Sequence, residues 1–312
     1  MIETPSKNYV QIRKAFQNAV QRLNEADIPQ SELEVSLLLS HALKMKRTTV
    51  LLAGERDLNG SLLEKFEKNV ARRLAREPLA YITGEKEFWS LPFMVTSDVL
   101  IPRPETEFLL EKTLEVIKNS GLTHAQTVKV LDLGTGSGVL AIVLAQELVT
   151  AKVTALDYSF NALKVARYNA KKHQVAEKIN FINCNWFDGI LPRAEFDIVI
   201  SNPPYIAEEV FLKPFGRTTG SLQPEVGQFE PRLALDGGER GIREISRIAV
   251  AVRKVLKPCA LFFMEIGEDQ HEEVVDIFQR TAAFDSIEIF NDYAGLPRVF
   301  QARKKAVSSL GK

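Results

Sequence analysis

Apolar and polar positions follow one another with two different periods along the chain. Near the N-terminus, the apolar residues that recur every three or four positions are Ile12, Phe16, Val20 and Leu23. This period predicts an amphipathic helix that buries one stripe. Ser31 and Ser61 each precede a glutamate by three positions, which predicts capping boxes at the starts of two further helices. We therefore expect residues 1–80 to form a small helical bundle.

From residue 128 onward, short apolar runs alternate with helical patterns. The runs that predict strands are Val128–Leu133, Val153–Leu156, Ile179–Asn183, Phe196–Ser201, Ala260–Ile266, Ser286–Phe290 and Arg298–Ala302. Such alternation is typical of a mostly parallel sheet covered by helices. The last two runs are joined by a short loop and predict an antiparallel edge. We therefore predict an α/β fold of the Rossmann-like type, with seven strands.

A hairpin pattern lies between the bundle and the sheet. Strand-like runs flank Ser90-Leu91-Pro92, and Pro104 suits the first turn of a following helix. The Gly- and Pro-rich residues 207–229 predict a long loop without secondary structure. We divide the chain into a helical bundle over 1–80, a hairpin linker over 81–103 and an α/β domain over 104–312.

Composition excludes several classes of protein. The 312 residues include 40 Lys and Arg against 40 Asp and Glu, so charge provides no general attraction to nucleic acid. Cys184 and Cys259 lack the spacing of metal ligands. Apolar runs such as Val139–Ala145 are far shorter than the roughly 20 residues that span a bilayer, and the N-terminus lacks the pattern of a signal peptide. We expect a cytoplasmic protein without a metal or a membrane partner.

A glycine-rich motif follows the first predicted strand of the sheet. The run from Asp132 to Gly138 reads Asp-Leu-Gly-Thr-Gly-Ser-Gly, and glycines at a helix N-terminus let a ligand approach the backbone amides. Asp157 ends the next strand about 20 residues later, where a carboxylate can bind ribose hydroxyls. This order predicts a nucleoside-containing cofactor. The G-x-G-x-G spacing resembles the S-adenosylmethionine (SAM) site of class I methyltransferases more than the G-x-G-x-x-G of dinucleotide sites.

A second motif, Asn202-Pro203-Pro204-Tyr205, follows the fourth predicted strand. The nitrogen of an amide or aromatic amine is a poor nucleophile because its lone pair is delocalised. The Asn202 side-chain oxygen and the Pro203 carbonyl can each accept one N–H of a target NH₂ group, and Tyr205 can pack on its plane. Catalysis would then depend on positioning and electrostatics. The motif resembles methyltransferases that act on adenine N6 or on protein glutamine.

The whole chain, taken in order, resembles the release-factor glutamine methyltransferase family (PrmC/HemK). The pieces that carry this resemblance are the predicted N-terminal bundle and hairpin, Arg103-Pro104-Glu105-Thr106-Glu107, the two motifs above, Glu230-Pro231 with Ala234-Leu235, Glu265-Ile266-Gly267 with Gln270, and Ala294-Gly295 before Arg298. The resemblance implies that residues 104–312 form a SAM-dependent methyltransferase domain and that the bundle docks the substrate. It implies N5-methylation of the glutamine in the Gly-Gly-Gln motif of class I peptide chain release factors, which modulates translation termination. S-adenosylhomocysteine would be the product of SAM, and we expect a monomer that binds no nucleic acid directly.

The resemblance also implies roles for individual residues. The cofactor-binding residues would be Gly134, Thr135, Gly136, Ser137, Gly138, Asp157 at the ribose, Trp186 beside the adenine with neighbouring Phe187, and Asn202. The substrate-binding residues would be Asn202, Pro203, Pro204, Tyr205, Arg103 and Glu105, with Asn202, Pro203 and Tyr205 as the catalytic set. From the residues alone, a Trp at position 186 is more often a core residue, and Arg103 could equally anchor a carboxylate within the linker. Glu105 could simply suit the positive end of a helix dipole.

Three other functions share some of these features. An adenine-N6 methyltransferase of DNA or RNA would use the same Asn-Pro-Pro-Tyr chemistry, although the chain lacks an obvious basic domain with interleaved aromatic residues. A non-catalytic SAM-binding module would use the bundle to dock a partner. A nicotinamide-dependent oxidoreductase would need the glycine-rich turn but has no use for the second motif.

Overall fold

The chain folds into two compact units. The computed structural model describes residues 10–120, 127–216 and 220–306. The first unit takes the N-terminal part up to Gly84 together with Pro224–Phe229, and the second takes Glu85–Gln223 and the chain from Glu230 onward. The predicted division into a docking bundle, a linker and a catalytic domain stays a prediction about their separate roles.

The first unit is helical, as the apolar period predicts. Its helices within the described residues are Ile12–Glu25, Ser31–Leu43, Arg47–Leu52, Gly60–Leu74, Leu79–Thr83 and Pro224–Phe229. Two short strands, Val10–Gln11 and Asp57–Leu58, pair antiparallel. Leu23, Leu38 and Phe66 are fully buried in one apolar core, so the helices are held together by one-sided burial rather than by helix propensity.

Both predicted capping boxes are wrong. Ser31 lies inside its helix, and its hydroxyl donates to the carbonyl of Ile28 at 2.7 Å. The helix that begins at Gly60 is capped by Asn59, whose side-chain oxygen accepts from the amide of Leu62 at 3.0 Å. Asparagine is a strong N-cap residue, and because Asn59 precedes Ser61 it occupies the position from which the first free amides can be reached.

The second unit contains a seven-stranded sheet. Its strands are β1 Val128–Leu133, β2 Ala151–Asp157, β3 Ile179–Asn183, β4 Phe196–Ser201, β5 Leu256–Glu265, β6 Phe284–Asn291 and β7 Pro297–Lys304. The spatial order is β6-β7-β5-β4-β1-β2-β3. Strands β1 to β5 run parallel, and β7 pairs antiparallel with both β5 and β6. The predicted fold, mostly parallel with an antiparallel edge, is confirmed.

Helices cover this sheet on both faces. The longer ones are Pro104–Ser120, Val139–Glu147, Phe160–Lys172, Arg243–Val252 and His271–Arg280. Successive residues of β1 belong to different apolar clusters: Val130 packs in one cluster and Leu131 packs in the other. This is expected because side chains along a strand alternate between the two faces of the sheet. Among the described residues, no helix has the length and apolar character needed to cross a membrane.

Smaller elements complete the second unit. They are the hairpin Glu85–Phe88 with Leu91–Met94, the parallel pair Ile206–Ala207 with Asp236–Gly238, and the 3-10 turns Ala176–Lys178, Glu208–Leu212, Arg232–Ala234 and Glu239–Gly241. The prediction that 207–229 lacks secondary structure is therefore wrong. The segment contains the 3-10 turn Glu208–Leu212 and ends in the helix Pro224–Phe229, which belongs to the first unit. Residues 217–219 of the segment lie outside the described part of the chain.

The strand order creates a switch point between β1 and β4. From β1 the chain proceeds to β2 and β3 on one side, whereas β4 and β5 lie on the other. Loops at the carboxyl ends of two such strands diverge and leave a crevice, which is where open α/β sheets bind ligands. The glycine-rich loop follows β1, and Asn202 follows β4, so the fold brings both predicted motifs to one place.

Candidate active site

A cavity of about 900 Å³ opens at these strand ends in the second unit. Its lining includes the loop residues 134–137, Asp157, Trp186 and Asn202. These residues come from four separate segments of the chain, and all were predicted from the sequence to bind a cofactor. The structure thus brings the predicted cofactor residues together apart from Gly138, which is not part of the described lining, while the contacts that each residue makes with a cofactor stay predictions.

The glycine-rich turn has a conformation that its sequence dictates. Gly134, Gly136 and Gly138 have φ of 74°, 55° and 88°, in the left-handed region that other residues avoid. A Cβ atom at Gly138 would lie 3.1 Å from the Cβ of Ala166, so this third glycine lets two helices pack closely instead of lining the cavity. A Cβ at Gly136 would meet no atom within 4 Å, which leaves that part of the turn open to a ligand.

Asp157 closes the turn from the end of β2. Its two carboxylate oxygens accept from the backbone amides of Gly136 and Ser159, each at 2.8 Å. A carboxylate offers about four lone-pair positions, so both oxygens keep capacity for further donors such as a pair of hydroxyls. Burial raises the pKa of Asp157, and the two backbone hydrogen bonds oppose this shift.

Asp132 supports the same turn from inside the sheet. The side chain is fully buried, and one oxygen accepts from the Thr135 hydroxyl at 2.6 Å and from the amide of Ala141 at 3.2 Å. The other oxygen has no hydrogen-bond partner among the described residues. Burial, opposed by those two hydrogen bonds, raises the pKa of Asp132 to about 7. Sequence reasoning had noted its place in the motif but had given it no role.

Trp186 forms one wall of the cavity. Its six-membered ring lies 3.7 Å from the position of a Cβ on Gly134, and its indole N–H donates to Glu244 at 2.8 Å. Burial would raise the pKa of Glu244, but hydrogen bonds from Arg243 and Trp186 and the charge of Arg247 lower it. The ring is thus held by a carboxylate that stays charged. Sequence reasoning missed Glu244, which lies 58 positions away along the chain.

Asn202 is hydrogen-bonded to Thr106, which in turn is hydrogen-bonded to Glu265, and neither of these two residues was predicted to act here. Its Nδ2 donates to the Thr106 hydroxyl at 2.9 Å. That hydroxyl donates to one oxygen of Glu265 at 2.7 Å, and the Tyr205 hydroxyl donates to the other at 3.0 Å. Pro204 lines the cavity, whereas Pro203 is buried and neither it nor Tyr205 is part of the described cavity lining. Their predicted contacts with substrate stay predictions.

The backbone of this motif is fixed by a glycine-rich segment that follows it in the sequence. A Cβ atom on Gly237 would lie 2.8 Å from the Pro204 carbonyl oxygen, and one on Gly241 would lie 2.1 Å from that of Tyr205. The Gln270 side chain also donates to the Tyr205 carbonyl at 3.0 Å. Only glycine allows such close approach, so residues 236–241 act as a support for the motif.

Arg103 and Glu105 occupy different surroundings. The Arg103 guanidinium pairs with Glu230, whose side chain is only 1% exposed and also accepts from the amide of Ile101 at 3.1 Å. This pair anchors the segment that leads into the helix starting at Pro104. Glu105 is half-buried, and its charge is one of the influences that raise the pKa of Glu265. Substrate contact by Arg103 or Glu105 stays a prediction.

Comparison with known proteins agrees with this geometry. The family model described as the PrmC N-terminal domain matches residues 14–84, and the one described as the methyltransferase small domain matches residues 106–213. The release factor glutamine methyltransferase of Koribacter versatilis is 37% identical over 94% of this chain and 98% of its own length. The chain belongs to the family of release factor glutamine methyltransferases. This membership confirms the predicted family and identifies the chain as a SAM-dependent methyltransferase.

Further relatives extend the match in sequence and in fold. The release factor glutamine methyltransferase of Nitratidesulfovibrio vulgaris is 35% identical over 96% of this chain and 97% of its own length. The solved structure of the hMettl16 catalytic domain with hairpin 1 of the MAT2A 3′UTR covers 75% of this chain and 80% of its own, with a TM-score of 0.52 and 15% identity. At that identity the likeness concerns the fold alone.

Proposed function

We propose that this enzyme methylates the side-chain amide nitrogen (N5) of the glutamine in the Gly-Gly-Gln motif of class I peptide chain release factors. The observation that carries the proposal is the Asn202 side chain, which lines the cavity at the switch point and is held there by its own NH₂ group. An amide held in this way leaves its oxygen as an acceptor for a planar NH₂ group. We propose a release factor as the substrate because relatives that match nearly the full length of the chain are named release factor glutamine methyltransferases.

The residues around the cavity suit SAM. The Asp157 carboxylate retains lone pairs for ribose hydroxyls, the Trp186 ring offers a flat apolar surface for adenine, and the glycine-rich turn provides open space beside backbone amides. When bound, SAM supplies an electrophilic methyl group on a sulfonium and leaves as neutral S-adenosylhomocysteine.

The protein then acts mainly by positioning. Asn202 Oδ1 and the Pro203 carbonyl would each accept one N–H of the glutamine amide, which aims the nitrogen lone pair at the methyl carbon. The new N–C bond forms as the C–S bond breaks, and the nitrogen afterwards loses one proton to water. Because the substrate amide carries its own proton to release, the step requires no strong base. We further propose a monomeric, cytoplasmic enzyme that uses no metal.

Transfer of labelled methyl groups tests this proposal. Purified enzyme would be mixed with SAM carrying a radioactive methyl group and one of four substrates: a class I release factor, the same factor with its Gly-Gly-Gln glutamine changed to alanine, duplex DNA, or adenine-containing RNA. We expect label on the intact factor alone. Label on the altered factor would place the methyl group on another residue, and label on nucleic acid would replace the proposed substrate by adenine.

An Asn202→Ala variant separates binding from catalysis. Because Asn202 contributes an acceptor to the substrate amide, we expect turnover to fall by about 100-fold or more. The affinity for SAM, measured by calorimetry, should change by less than about threefold. Normal turnover at saturating SAM would contradict the assignment of Asn202.

A further inference from the structure

A buried polar relay ends at Asn202. Glu265 is the last residue of β5, Thr106 lies in the first turn of the helix Pro104–Ser120, and Tyr205 follows β4. Glu265 and Thr106 are 0% and 3% exposed. A carboxylate in such a place carries a large desolvation cost unless its oxygens are hydrogen-bonded. Neither Glu265 nor Thr106 has a task in the transfer step described above, so the retention of a buried charge beside the site requires an explanation.

The hydrogen bonds of this relay have a definite direction. An ionised carboxylate can only accept hydrogen bonds. Each Glu265 oxygen has one hydroxyl neighbour, Thr106 at 2.7 Å and Tyr205 at 3.0 Å, so both hydroxyls point their protons at the carboxylate. A hydroxyl has a single proton. Thr106 therefore presents only lone pairs to Asn202, 2.9 Å away.

This direction selects one of the two orientations of the Asn202 amide. The oxygen and nitrogen of an asparagine side chain have nearly the same shape, and only hydrogen bonding distinguishes them. Lone pairs on Thr106 attract the NH₂ group and repel the oxygen. The Asn202 oxygen is then left for other donors. In the opposite orientation Asn202 would present N–H groups to the substrate amide and could not accept from it.

Burial and the neighbouring groups shift the pKa of Glu265 in opposite directions. Burial is the largest influence and raises the pKa of Glu265 above its usual value, and the nearby Glu105 adds to this, while the hydrogen bonds from Thr106 and Tyr205 and the charge of Arg298 oppose the shift. Arg298 lies on β7 and is itself largely buried. The two hydroxyls lie within hydrogen-bond distance of the two Glu265 oxygens, and this geometry gives the relay its direction.

We propose that Thr106 and Glu265 are positioning residues that fix the Asn202 amide with its oxygen available to the target NH₂ group. This inference rests on the proposed function, because it assumes that Asn202 accepts a hydrogen bond from the substrate. It adds a specificity element: an amide locked in this orientation favours a substrate with N–H donors and disfavours one that offers only acceptors.

The test compares Thr106→Val with Thr106→Ser. Valine has nearly the shape of threonine but has no hydroxyl, whereas serine keeps the hydroxyl and loses a methyl group. We expect Thr106→Val to lower kcat for the release factor by about 10- to 100-fold, since the amide is freed to rotate. Thr106→Ser should stay within about threefold of the parent enzyme. Affinity for SAM should be unchanged in both.

Making Thr106→Val in an enzyme that already carries Asn202→Ala shows whether Thr106 acts through Asn202. In an Asn202→Ala enzyme there is no amide to orient, so adding Thr106→Val should lower kcat by less than about twofold. Additive losses in the double variant would instead overturn the inference, because interacting residues are non-additive. Thermal unfolding and SAM binding of each variant report whether it is folded. If the valine variant does not fold, Thr106→Ala takes its place with the same expectation.

The outcomes separate this inference from the proposed function. If Asn202→Ala keeps full turnover on release factor, the proposed role of Asn202 fails. If Asn202→Ala loses turnover while Thr106→Val keeps it, the positioning inference alone is wrong. Equal losses in Thr106→Val and Thr106→Ser would also overturn it, since the hydroxyl would then not be the group that matters.

Discussion

Substitution of Gly241 by alanine provides a severe test of how the Asn-Pro-Pro-Tyr motif is held. Gly241 has a φ of 73°, and an added Cβ would lie 2.1 Å from the Tyr205 carbonyl oxygen and 2.6 Å from Gln270 Nε2. Real Cβ contacts essentially never fall under 3.0 Å, so the motif and its support must move apart by roughly 1 Å. A misplacement of this size near reacting groups can lower a rate by about 100-fold.

The expected loss of stability has two contributions. Alanine in the left-handed region costs about 1–2 kcal/mol, and overpacking against buried backbone adds about 1–3 kcal/mol. Gly295→Ala is a matched control, because Gly295 has a φ of 81° but a Cβ there meets no atom within 4 Å. We therefore expect Gly295→Ala to be less stable only by the backbone cost of about 1–2 kcal/mol and to keep its turnover.

The assay combines urea unfolding with transfer of labelled methyl groups, at a temperature where both variants are folded. Gly241→Ala should unfold with about 2–5 kcal/mol less free energy than the parent and show about 100-fold lower kcat. Affinity for SAM should be little affected, since Gly241 is remote in sequence from the glycine-rich loop and does not line the described cavity. If both variants keep the same turnover, the support that residues 236–241 give to the motif is not needed for catalysis.

Three further predictions concern buried charges. Because the folded-state pKa of Asp132 is raised to about 7 from 3.8, its ionisation removes stability as pH rises between these values. Asp132→Asn should therefore gain stability relative to the parent from pH 4 to pH 7, measured by urea midpoints without SAM, and a difference that does not change with pH would contradict this. Arg73, a side chain that is 4% exposed, pairs with Glu34 and Glu225, and Arg73→Met removes the partner of Glu34 while Glu225 keeps Arg76. Unfolding should therefore require about 3 kcal/mol less free energy, and proteolysis within Pro224–Phe229 should accelerate. Unchanged cleavage there would show that the pair does not hold this helix. Asp157→Ala should weaken SAM binding by at least about 10-fold by calorimetry, because the acceptor of the ribose hydroxyls is lost, and unchanged affinity would refute the ribose assignment.

The central strands β1 and β4 were predictable because they are buried on both faces. The bounds predicted for β1, β3 and β4 coincide with those observed. The start of β5 was missed: the strand begins at Leu256 rather than at residue 260. Pro258 and the left-handed Cys259 interrupt the apolar pattern, and the pairing with β4 shifts register between Leu256 and Leu261.

The cofactor side of the site was also predictable, whereas its support was not. The glycine-rich loop and Asp157 lie on consecutive strands, so local spacing is enough to place them together. Thr106 and Glu265 are 159 positions apart and meet through tertiary packing alone. The available signal was a charged residue, Glu265, within the apolar run from Leu261 to Ile266. A lone carboxylate there indicates burial with partners, but it does not say which partners.

The register of the sheet explains how Glu265 comes to stand beside Asn202. Met264 of β5 pairs with Ser201 of β4, so Glu265, the last residue of β5, is level with Asn202, the first residue after β4. Side chains alternate between faces along a strand, and a slip of one residue would exchange them. The carboxylate can therefore serve Asn202 only in the observed register. Apolar neighbours such as Phe263, which is fully buried, fix that register, and thus the hydrophobic pattern of β5 determines where a polar group of the site is placed.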